Sequence, residues 1–227
     1  MIVRIKDVEM IYETWSEKTK VLDIPKFEVD KGEQVAVFGP SGSGKSTLLH
    51  IISGLLLPTR GSIDVCGERV HELGEAQRDH FRSRNIGYIF QTFNLLQGYT
   101  ALENVLLGMT FSPGKADRTA AKKLLEQVGL GEKMKRRPYQ LSFGEQQRVS
   151  VARAVANKPK LILADEPTGS LDPHNSVEII KLLKEICKEH ECSLVIVSHN
   201  MDMISYFERT VDFKKLNRAL DTKVAVI

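Results

Sequence analysis

The sequence predicts an α/β fold in which a parallel sheet carries a phosphate-binding loop, beside an antiparallel layer and an inserted helical region. Three observations point there. The apolar run Val35-Ala36-Val37-Phe38 leads directly into Gly39-Pro40-Ser41-Gly42-Ser43-Gly44-Lys45-Ser46-Thr47. A second run, Leu161-Ile162-Leu163-Ala164, ends in Asp165-Glu166, and a third, Leu194-Val195-Ile196-Val197, ends in Ser198-His199. Buried parallel strands read as such continuous apolar stretches and deliver polar residues to the carboxyl edge of the sheet, where ligands bind. The 227 residues, 42% of them hydrophobic, suffice for one such domain with a sizeable core and would be cramped for two.

Along the chain, residues 2–8, Phe27-Glu28-Val29 and Ser62-Ile63-Asp64-Val65-Cys66-Gly67 alternate apolar and polar, the pattern of half-buried strands in an antiparallel layer. Residues 39–47 fit G-x-x-x-x-G-K-[S/T], whose glycines let successive backbone N–H groups turn inward onto phosphate oxygens. Lys45 supplies positive charge to the β- and γ-phosphates, and Ser46 a hydroxyl to Mg²⁺. Residues 46–52 begin a helix whose N-terminal dipole favours anions. A Gly/Ser-rich surface turn would have neither the strand before it nor the apolar helix after it. Ile86-Gly87-Tyr88-Ile89-Phe90 is a further strand; from 91 to 157 strand character is lost, with helices over 116–128, closed by Gly129, and over 144–157. Asp165 fits a Mg²⁺ partner and Glu166 a general base for the water attacking a γ-phosphate. In a helix over 173–190, Ile179, Ile180, Leu183, Ile186 and Cys187 mark the buried face, with Lys181, Lys184, Glu185 and Lys188 on the wet one.

Leu141-Ser142-Phe143-Gly144-Glu145-Gln146-Gln147-Arg148, with the helix after it, resembles the signature sequence of ATP-binding cassette (ABC) ATPases. Gln91 after its strand, Ser170-Leu171-Asp172 as a D-loop and His199 complete an ordered set covering roughly residues 2–213. Residues 85–96 and 100–105 look most like the lipoprotein-releasing, macrolide-export and FtsE-like branch. The resemblance implies a P-loop NTPase with a RecA-like core: one nucleotide-binding domain over 2–213, with core and β subdomain at 2–90 and 158–213 and a helical signature subdomain at 91–157. Residues 214–227 are left as a C-terminal tail. It implies ATP and Mg²⁺ as cofactors, and head-to-tail pairing of two copies, so that the cradle of one faces Ser142 and Gly144 of the other. A separate transmembrane permease is implied, with this chain peripheral on the cytoplasmic side of the inner membrane. By the same resemblance, Gln91 serves the Mg²⁺ and water site, His199 contacts the γ-phosphate, and Asp172 belongs to the nucleotide interface. The adenine stacks on an aromatic residue upstream of the cradle, Tyr12 being the candidate and Trp15 the competitor. Phe143 departs from the pattern, which has glycine there.

A net charge of +3 with interspersed signs gives no case for nucleic-acid binding. Its one basic cluster, Lys133-Met134-Lys135-Arg136-Arg137, reads as a solvated loop, with an ATP- or membrane-facing role as the alternative. Cys66, Cys187 and Cys192 have neither disulfide-framework nor zinc-site spacing. No apolar run approaches the roughly 18–20 residues a membrane span needs, and the first residues alternate like a strand instead of forming a signal peptide. A guanine-reading N-K-x-D is missing, since Asn157-Lys158-Pro159-Lys160 lacks the Asp, and the sustained heptads of chromosome-organising relatives are not present. Coupling to a membrane process other than transport, such as cell-division signalling, uses the same motor residues and stays as the alternative. Phe93, Leu95, Leu96 and Tyr99 are expected either to line a groove for a helix of the membrane partner or to form subdomain core.

Overall fold

The computed structural model describes residues 1–15, 17–110 and 116–222; the last five residues of the predicted tail, and 111–115 within the helical region, lie outside them. Nine strands are described: β1 Val3–Glu13, β2 Lys18–Val29, β3 Gln34–Phe38, β4 Arg60–Val65, β5 Glu68–Arg69, β6 Ile86–Ile89, β7 Leu161–Asp165, β8 Ser193–Ser198 and β9 Arg209–Asp212. The helices are α1 Lys45–Ile52, α2 Glu75–Asn85, α3 Ala101–Thr110, α4 Arg118–Gln127, α5 Phe143–Val155, α6 Pro173–Glu189, α7 Met201–Ile204, α8 Phe213–Leu216 and α9 Ala219–Thr222.

The strands form two sheets. The antiparallel one runs β2-β1-β4-β5 and the parallel one β6-β7-β8-β3-β9. Each central strand of the parallel sheet is buried on both faces, and its alternate residues feed two cores. Val35, Val37, Leu161, Leu163, Val195 and Val197 face a core shared with α1 and the antiparallel sheet. Ala36, Ile162, Ala164, Leu194 and Ile196 face a core shared with α3–α6. Strand-rich and helical parts are therefore anchored to opposite faces of one sheet.

Local chemistry explains the element ends. Asp117 caps α4 by accepting from Thr119 and Ala120 N–H, and Asp172 caps α6 by accepting from Asn175 N–H. Ser142 caps α5 in a capping box with Glu145. Gly87 lets β6 lie against α5, because a Cβ there would sit 2.3 Å from the Ala154 carbonyl oxygen. The tail assigned by sequence from residue 214 docks on the domain: next to the fully buried Phe213, its Asn217 is fully buried and its Ala219 nearly so, while Lys214, Lys215 and Arg218 are exposed. Its α8 and α9 lie against β2.

Candidate functional site

The first of the three sequence runs builds the cradle. β3 ends at Phe38, Gly39 to Gly44 form the loop, and α1 starts at Lys45. Gly44 has φ 102°, a left-handed conformation that L side chains resist, and a Cβ there would meet Val21 Cγ1 and Leu22 Cδ2 at 3.1 Å. The loop thus lies directly on β2. The Lys45 ammonium is buried, donates to the carbonyls of Gly39 and Pro40 at 2.9 Å each, and faces Glu166 Oε1 at 3.6 Å.

Strand order brings the other two runs to the same edge. β8 lies between β3 and β7, so His199 leaves the sheet between the cradle and the Asp165-Glu166 pair. Ser46 Oγ donates to Asp165 Oδ1 at 3.0 Å. Burial pushes the Asp165 carboxyl above its ordinary pKa, partly offset by that hydrogen bond. Glu166 is a non-glycine residue at φ 45°, a strained backbone of the kind that concentrates at functional sites. Its Oε2 accepts from the His199 backbone N–H at 3.2 Å and lies 2.9 Å from the ring Nδ1. One carboxylate oxygen thus faces the phosphate-loop lysine and the other the histidine.

These groups line a cavity of about 350 Å³ that contains Tyr12, Val21, Ser41, Gly42, Gly44, Lys45, Ser46, Thr47, Gln91, Glu166 and His199. Tyr12, which lies within β1 near its end, is on that wall, whereas Trp15 is fully exposed outside it. Ser142, Gly144 and Asp172 do not line it. They form a second cluster: a Cβ on Gly144 would lie 3.3 Å from Asn175 Oδ1, and Asn175 is bonded to the Asp172 carboxylate. That bond with Asn175 is the first cause holding the Asp172 carboxyl below its ordinary pKa. Phe143, at the start of α5, is 63% exposed, with its ring centroid 6.2 Å from that of Phe93.

Of the four apolar residues expected at a docking groove or in the core, Leu95 is core and Phe93 is packed against it, while Leu96 and Tyr99 are exposed. Sequence reasoning missed what holds this segment. Buried Asn104 accepts from Leu96 N–H at 2.8 Å and donates to the carbonyls of Leu96, Tyr99 and Thr100. Arg153 donates to the carbonyls of Phe93 and Asn94, both in left-handed backbone. Both residues lie in stretches that the family resemblance covers, but nothing in the sequence assigns them this role; the αL pair at 93–94 and the buried amide mark the arrangement. Lys133 of the basic cluster is ion-paired with Glu145, and Lys135, Arg136 and Arg137 are exposed.

A phosphate cradle, a buried Asp-Glu pair and a histidine at adjoining ends of one parallel sheet define a nucleoside-triphosphate hydrolase. Comparison with known proteins narrows the class. Residues 22–169 match the ABC transporter family, and the chain belongs to it. It is 47% identical over 207 residues to an ABC transporter ATP-binding protein of Thermotoga maritima, covering 89% of this chain and 87% of that protein. It is 41% identical to the lipoprotein-releasing system ATP-binding protein LolD 2 of Caulobacter vibrioides, covering 94% of each. The ATP-binding cassette MJ0796, solved as a dimer in a post-hydrolysis state with ADP and Pi, superposes with a TM-score of 0.85 at 37% identity, over 92% of this chain and 93% of that one. The chain is an ATP-binding, ATP-hydrolysing subunit of the ABC transporter type, and the P-loop α/β fold read from its sequence is the one the structure has.

Proposed function

We propose that two copies of this chain close head to tail on two ATP molecules and so move a separate membrane-spanning partner. One observation carries the reading: Ser142 and Gly144, at the N-terminus of α5, are absent from their own chain's nucleotide cavity. Their capped helix end suits a phosphate, and a second copy can supply one. The dimeric MJ0796 cassette with ADP and Pi supports this arrangement.

In the proposed site Tyr12 stacks on adenine, residues 39–47 wrap the phosphates, and Lys45 pairs with them in place of loop carbonyls. Glu166 takes the proton of the attacking water as its oxygen bonds to the γ-phosphorus and the bond to the β-phosphate oxygen breaks. His199, on the other carboxylate oxygen, orients that base and the γ-phosphate. Ser46 and the Gln91 amide oxygen line the cavity and Asp165 accepts from Ser46 just behind it, a set of hard oxygen donors that fits Mg²⁺ completed by phosphate and water. Bound there, the ion would neutralise phosphate charge. The signature cluster, Asp172 included, lies at the interface between copies.

The membrane partner docks a short helix in the cleft of about 590 Å³ between α2, β6 and α5, lined by Arg82, Tyr88, Phe90, Asn94, Arg153 and Asn157, and meets the exposed Leu96 and Tyr99 of the segment that follows Asn94. Among the described residues no helix is long and apolar enough to cross a membrane. In this reading the chain attaches peripherally, through that partner on the cytoplasmic side of the inner membrane. Mixing Lys45→Ala with Ser142→Arg chains tests the pairing. Each alone should be inactive, while the mixture forms a hybrid interface with one intact cradle facing one intact signature. No regain of activity on mixing, or a monomer whose specific activity is independent of concentration, would refute the two-chain site.

A further inference from the structure

The segment after β9 reaches the phosphate-binding loop from behind. Phe213 is fully buried at its start, and a Cβ on Gly39 would lie 3.0 Å from the Phe213 Cβ. Asn217, also fully buried, spends both donors and both acceptor positions of its amide. Its Oδ1 accepts from Asp23 N–H at 2.8 Å and from Ala219 N–H at 3.2 Å, and its Nδ2 donates to the carbonyls of Val21 at 2.9 Å and Ser43 at 3.3 Å. Arg218 N–H donates to the Asp23 carbonyl at 2.9 Å, which fixes the segment along β2.

These partners have one thing in common. Ser43 belongs to the cradle, Val21 lines the nucleotide cavity, and Gly44 packs on Val21 and Leu22. Asn217 therefore ties the phosphate-binding loop to the β2 wall across which the nucleotide lies. A buried amide with all four positions filled is expensive to disturb, because each freed carbonyl or N–H is then unsatisfied away from water.

We infer that Asn217 is a positioning residue for ATP binding: its two donors hold the Ser43 carbonyl and β2 so that the loop's N–H groups converge before ATP arrives. The inference rests on residues 39–47 being the ATP cradle. Preorganisation acts on binding and leaves the later steps to Glu166, so removal should raise the ATP dissociation constant more than it lowers turnover.

The test uses the full chain. Asn217→Ala should bind Mg-ATP about tenfold more weakly, the loss of one to two net hydrogen bonds, with kcat at saturating ATP within about twofold of wild type. Asn217→Asp keeps the two acceptor contacts that dock the segment but turns an oxygen onto the Val21 and Ser43 carbonyls. It should bind ATP at least as weakly as Asn217→Ala, and it decides the matter if Asn217→Ala does not fold. Leu216→Ala, which trims an apolar contact of the same segment with the same core, should lower thermal stability and leave ATP affinity unchanged. Affinity within twofold of wild type in both Asn217 variants, or an equal loss in Leu216→Ala, overturns the positioning role. Lys45→Ala in parallel separates the two failures: if it too binds normally, the cradle reading falls, and if it alone loses affinity, only the role of Asn217 does.

Discussion

Replacing Glu166 by Gln separates its chemical role from its structural one. The two carboxylate oxygens face Lys45 at 3.6 Å and His199 at 2.9 Å. At an effective dielectric near 20, the attraction to Lys45 is worth about 4–5 kcal/mol gross, offset by the cost of holding a carboxylate where it is almost wholly buried. Glutamine gives up that attraction and the carboxylate's cost together but leaves the buried Lys45 ammonium with only the Gly39 and Pro40 carbonyls, while its amide oxygen still accepts from the His199 backbone N–H. Folding stability should therefore fall by about 1–3 kcal/mol. Turnover has no such compensation. A positioned general base contributes about 10²–10⁴ in rate, or about 3–5 kcal/mol of barrier, so Glu166→Gln should hydrolyse ATP slower by that factor with binding retained. Steady-state phosphate release, nucleotide titration and light scattering would measure it, and Mg-ATP but not ADP should convert the variant from monomer to dimer. A kcat within tenfold of wild type would refute the assignment of Glu166 as base.

Gly44→Ala should lose at least about 1–2 kcal/mol from its left-handed backbone and the contacts its Cβ makes with β2, and should weaken ATP binding; unchanged melting would refute the strain. Leu96→Glu and Tyr99→Glu should leave the isolated chain folded and active but uncouple it from the membrane complex. Leu95→Glu should unfold it, because that residue is buried; circular dichroism and co-purification distinguish the cases. Asn104→Ala, which removes the partner of the Leu96 N–H and of the Tyr99 carbonyl and leaves the Leu96 and Thr100 carbonyls only their backbone donors, should cost about 1–3 kcal/mol and also weaken partner binding, read by denaturant midpoint and co-purification. Glu145 is held below its ordinary pKa first by Lys133 and then by the Ser142 N–H, so its contribution is present above the unfolded glutamate value of about 4.3 and is lost as pH falls through the lower native value. The melting difference between wild type and Glu145→Ala should accordingly shrink on acidification through that window.

Chemistry that depends on neighbours in sequence was legible without the structure. The glycines, Lys45 and Ser46 are consecutive, the Asp165-Glu166 pair and His199 each close an apolar run, and β7 and β8 announce themselves by unbroken hydrophobicity because both their faces are buried. The heptapeptide-scale pattern around Ser142 was equally plain, as was the apolar stripe of α6. Strand order was not: that β8 separates β3 from β7, and so sets His199 against Glu166, follows from pairing between segments far apart in the chain. Nor could sequence divide Leu95 from Leu96, since adjacent leucines differ only in which one the folded subdomain covers. Tyr12 and Trp15 were separated the same way, by a β1 that continues far enough to carry the tyrosine to the cavity wall. Asn217 shows the limit most clearly: its donor to Ser43 spans 174 positions, and a lone asparagine after two lysines and a leucine carries no local signal of burial. Local composition fixes what each residue can do, while only the closed packing of two sheets and their helices decides which distant carbonyls it must satisfy.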